Sequence, residues 1–206
     1  MKLRKLILAT VGATVLLGAL VSSASARNIS VSNQFIQSQW RRVTFEAIGI
    51  RIVCEVHLEG SLHRRTLAKR VGSLIGCITQ AELQRDLDPD GCETGFATIL
   101  RETLPWHVRY LGFAGTLPNI TQIIVNVIRA AFQVQEAGGG PLCLATTTEA
   151  RPATGTFNRE VGTRILTTAI IGGTIPTNCL FNGTLSSEPA PVFLLGTTNR
   201  ITVTLI

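Results

Sequence analysis

Between Ile50 and Leu58 apolar and polar positions alternate, with Ile50, Ile52, Cys54, Val56 and Leu58 on one side and Arg51, Glu55 and His57 on the other. A two-residue period sustained over nine positions marks a β-strand with one buried face. Gly60–Ser61 is expected to end it. Shorter runs predict further strands at 42–48, 95–100, 106–113, 164–171, 191–195 and 200–206. Turn residues punctuate the chain at Pro89-Asp90-Gly91, Gly138–Pro141, Gly172-Gly173, Asn182-Gly183 and Ser187-Glu188-Pro189. Many short strands between such turns predict an all-β fold, an antiparallel β-sandwich or barrel.

Two stretches are ambiguous. In residues 120–136 the polar positions Gln122, Asn126, Arg129, Gln133 and Glu136 are spaced four, three, four, three, as on one face of a helix. Against that, Ile120, Ile123, Ile124, Val125, Val127 and Ile128 are β-branched and lose rotamer freedom in a helix. The preferred reading is a long strand, with one helix at 120–136 as the alternative. Residues 64–80, interrupted by Gly72 and Gly76, read as a hairpin or short strands. Gly138–Pro141 reads as a long loop within one domain.

The N-terminus changes the picture. Lys2, Arg4 and Lys5 precede an uncharged apolar run over 6–21, and Ala24 and Ala26 flank Ser25 as in an A-x-A cleavage site. Residues 1–26 are therefore expected to be a signal peptide and 27–206 a single secreted β-rich domain. The apolar run is shorter than the roughly 20 residues that span a bilayer, and no later stretch reaches that length, so no transmembrane span is expected after cleavage. Without the first 26 residues the chain carries 16 basic and 13 acidic side chains. So small an excess gives no reason to expect a nucleic-acid partner.

Cys54, Cys77, Cys92, Cys143 and Cys179 suit an oxidising compartment, and none stands in a C-x-x-C pair. Two disulfides and one thiol are expected. Cys54 lies on the apolar face of the clearest strand and Cys92 follows a turn, which favours Cys54–Cys92 over the competing Cys77–Cys92. Cys143 and Cys179 both sit near element ends and are expected to pair. Cys77, among Leu74, Ile75 and Ile78, is expected as a buried thiol.

Signatures of common catalytic machinery are missing: there is no G-x-S-x-G, P-loop, dinucleotide-binding or H-E-x-x-H motif. His57 and Glu59 project from one face, and His63 could fold back beyond Gly60 to complete a divalent-metal site. The plainer reading of this row is the polar outer side of a strand. Asp86, Asp88, Asp90 and Gly91 match the opening of an EF-hand-type calcium loop, but Ala97 occupies the position where a bidentate glutamate is needed. Trp106, Val108 and Tyr110 share a face opposite His107 and Arg109. An exposed Trp106–Tyr110 pair would stack on a sugar ring or line an apolar pocket. Trp40-Arg41-Arg42 reads as a surface anchor.

Two segments, Arg51 to His63 and Leu104 to Tyr110 continuing through Phe113 to Pro118, resemble parts of small exported proteins of high-GC Gram-positive bacteria. That group has no assigned activity, so the resemblance implies secretion and origin only. The resulting expectation is a secreted, non-enzymatic binding domain or a structural domain of the cell envelope, without a required cofactor. Its partner would be an envelope component or a small apolar or sugar ligand. The alternative is a metal-assisted hydrolase using His57, Glu59 and His63.

Overall fold

The computed structural model describes residues 28–47, 50–84, 92–116, 119–160, 162–179 and 181–205. The expected signal peptide and the acidic loop with Asp86, Asp88 and Asp90 lie outside the described residues.

Eight antiparallel strands form a closed barrel: β1 (Phe35–Ala47), β2 (Ile50–Leu62), β3 (Leu74–Leu83), β4 (Trp106–Thr116), β5 (Asn119–Ile128), β6 (Ala153–Arg159), β7 (Leu166–Gly172) and β8 (Ala190–Leu194). Each pairs with the next in sequence, and β8 returns to β1 with Ser38 opposite Val192. Of the two architectures expected, the chain adopts the barrel. Closure leaves these eight strands without a free edge. On β2, Ile52, Cys54, Val56 and Leu58 are buried inside, while Glu55 and His57 are half-buried on the outer wall.

Residues 120–136 are strand, as preferred over the alternative helix, but broken into two, β5 and Ala131–Glu136, in different sheets. Arg129 between them has φ of 70°, a left-handed conformation that neither a strand nor a right-handed helix continues. β-branching along β5 favours the pleated backbone.

Two small sheets close the barrel ends. Asn28–Val31 pairs with Val203–Leu205 and Thr66–Ala68. It adds Ile29 and Val31 to a core half that includes Leu62, Tyr110, Ile120 and Leu166. Ala131–Glu136 pairs with Gly95–Ile99 and Cys143–Thr146. It adds Val134 to the opposite half, with Phe45, Ile52, Trp106 and Ile170.

Gly60 does not end the strand. β2 runs through it to Leu62, with a register shift against β3 between Glu59 and Gly60. The two backbones come so close there that a Cβ on Gly60 would lie 2.4 Å from the Cys77 carbonyl oxygen. Glycine marks a close approach rather than a stop.

Cys54–Cys92 and Cys143–Cys179 are disulfides, as side-chain direction favoured. The first joins β2 to the short strand Cys92–Glu93, where the two cysteines are directly opposed. Cys77 is free but only half-buried, not sealed in the core as expected, and its Sγ lies 3.6 Å from Ser61 Oγ. The disulfides are consistent with an oxidising, extracellular setting.

The outer wall is charged. Arg51 pairs with Glu46 at 3.2 Å, and Arg42 lies between Glu93 at 3.5 Å and Glu188 at 3.6 Å. Large apolar side chains, among them Leu111, Phe113 and Ile171, are also exposed on the barrel strands. Among the described residues no helix is long and apolar enough to cross a membrane.

Candidate functional site

Alternation places every second residue of the eight strands inside the barrel, and those residues are mostly aliphatic or aromatic. They leave a cavity of about 160 Å³ between the two core halves, bounded among others by Trp40, Val56, Leu58, Trp106, Val125 and Phe132. Eight strands enclose an interior that side chains just fill or that holds one small ligand. A volume of about 160 Å³ is close to the ~150 Å³ apolar cavities known to bind benzene and falls below the ~300 Å³ at which drug-sized sites begin.

Both tryptophans of the chain bound this cavity. Trp106 is 6% exposed and its Nε1 donates to Thr103 Oγ1 at 2.9 Å. Trp40 is 8% exposed, so it is an interior residue and not the surface anchor expected. Among the described residues its Nε1 has no hydrogen-bond partner and is shut off from solvent. Ser38 pairs with Val192, and Glu188 N–H donates to the Arg42 carbonyl. This register sets Trp40 opposite Ala190, which in turn pairs with Thr168. A large indole, a methyl group and a hydroxyl thus follow one another across β1, β8 and β7, and all three residues are buried.

The exposed Trp106–Tyr110 pair is not formed. Both side chains face inward because they share the buried face of β4, and Tyr110 is 3% exposed in the core half beside Ile123 and Val125. No stacking platform for a sugar results. Burial pushes the Tyr110 phenol above its ordinary value of 10. Tyr110 is the single tyrosine, so phenolate absorbance reports it alone. Its ionisation is expected at higher pH than that of free tyrosine. Above the ordinary value the unfolded chain ionises first, so stability should decline as pH rises toward the folded-state value. Titration at the ordinary value would mean that the ring is solvated.

His57 and Glu59 do meet on the outer wall, with Nε2 3.1 Å from Oε1. His63 does not join them. Because β2 continues through Gly60 to Leu62, His63 lies just past its end, six residues or about 20 Å from His57 at ~3.3 Å rise. Among the described residues no group of three His, Cys, Asp or Glu side chains could hold a metal ion.

Sequence reading missed Trp40, Ala190 and Thr168. Parity along β1 shifts at a bulge between Trp40 and Val43, so Trp40 is out of phase with the buried Val43 and Phe45 that follow. The remaining signal was the even-numbered pair Ser38 and Trp40.

The fold and site define a closed up-and-down β-barrel with an apolar internal cavity. No protein-family model, curated protein or solved structure matches the chain.

Proposed function

We propose that this is a secreted, non-enzymatic binding protein whose barrel encloses one small, predominantly apolar molecule about the size of benzene. The apolar cavity of about 160 Å³ supports this reading above all. It is bounded by side chains from all eight barrel strands, and hydrocarbon surface of that kind favours hydrocarbon guests. The signal-peptide pattern at 1–26 and the two disulfides support secretion. The hydrolase alternative loses support because His63 is carried away from His57 and Glu59.

Thermal unfolding of the purified protein tests this reading. A benzene-sized hydrocarbon at 100 times its Kd should stabilise the barrel by about 2.7 kcal/mol, or roughly 5–10 °C in Tm for a chain of this size. A hexose should do nothing. Ala153→Leu places three more carbons in the cavity wall and should abolish the shift. Lack of response to any small hydrocarbon, or an undiminished response in folded Ala153→Leu, would overturn the reading.

A further inference from the structure

We infer that the cavity's ligand carries a hydrogen-bond acceptor, a carbonyl or comparable oxygen, that is met by the indole N–H of Trp40. This rests on the internal cavity being a binding site and names the chemistry of what enters it. Tryptophan can donate from one atom only and normally finds a partner for it when buried. Trp106, in the same wall, has done so through Thr103. Trp40 has not: among the described residues nothing accepts from its Nε1.

Ser38 Oγ donates to the Pro191 carbonyl at 3.0 Å, and Thr147 Oγ1 accepts from Ala130 N–H at 2.8 Å. Neither of these hydroxyls, nor those of Ser61 and Thr168 on the same wall, accepts from the indole N–H. Ala190, opposite Trp40 across the strands, contributes only a methyl group, and Trp40 itself borders the cavity. The rest of the wall, with Val56, Leu58 and Phe132, offers hydrocarbon. The ligand that fits is therefore neutral and compact, with one acceptor end directed at β1 and an apolar body in the barrel.

Cyclopentanone and methylenecyclopentane separate the two ideas, because they share a shape and differ in having a C=O or a C=CH₂. In ¹⁵N–¹H spectra of the wild-type protein, the Trp40 indole N–H should move downfield with the ketone and stay close to its free position with the alkene. Trp40→Phe keeps an aromatic ring and removes the donor. It should weaken ketone binding about five- to tenfold, the usual worth of one hydrogen bond, while alkene affinity changes less than about twofold. If neither probe binds, the cavity is not a binding site for such molecules and both readings fail. If both bind, yet the indole resonance does not distinguish them or Trp40→Phe weakens them equally, the cavity reading stands and the acceptor inference is overturned.

Discussion

Gly60→Val is expected to destabilise the barrel by about 3 kcal/mol, the upper part of the range for forcing atoms into a well-packed site. A Cβ at this position would sit 2.4 Å from the Cys77 carbonyl oxygen and 3.2 Å from the Ile78 Cα. Both obstacles are backbone, so no rotamer change relieves them. β2 and β3 would have to separate where their register already shifts. Gly112→Ala is the control, since a Cβ there meets nothing within 4 Å. It should be neutral or slightly stabilising, because alanine narrows the unfolded ensemble. Urea unfolding of the two variants decides the point. Equal stabilities would mean that the strands are not held as close as they stand here.

Replacing Cys54 and Cys92 together with alanine is expected to cost a further large fraction of stability, about 2–5 kcal/mol. The bridge spans 38 residues of sequence, and the chain-entropy model assigns a loop of that length about 4 kcal/mol. That loop contains all of β3, so the link restrains one barrel strand and the crossing that follows it. Cys77→Ser changes no link and should stay within about 1 kcal/mol of wild type in the same denaturation assay. A double variant no less stable than Cys77→Ser would show that strand pairing alone holds Cys92 against β2.

Much of this fold was legible because period-two patterning is a direct projection of the pleat. β2 announced its inner face residue by residue, and that face also located Cys54 for its bridge. The patterning failed where the backbone changes phase. At Arg129 polarity passes from even positions (Gln122, Asn126) to odd ones (Gln133), and two offset strands together imitate a helical stripe. The bulge after Trp40 hid an interior tryptophan in the same way. Gly60 was misread because a glycine that lets two strands touch looks, in one dimension, like a glycine that ends one. The site itself was harder to see. A cavity is the volume left over by side chains from eight strands, and no local segment encodes it.

Order of assembly follows from the up-and-down path. Seven of the eight barrel pairings join strands that are successive along the barrel, so each is a local closure with modest loop entropy. The eighth, between β8 and β1, brings together Ser38 and Pro191, 153 residues apart in sequence. It rests on three paired positions, and β8 meets β7 at only two. Contacts so distant and so few reward the chain only after the other staves are aligned. β8 is thus expected to be the final stave placed, and until it is seated the interior remains a curved open sheet with its hydrocarbon face in water.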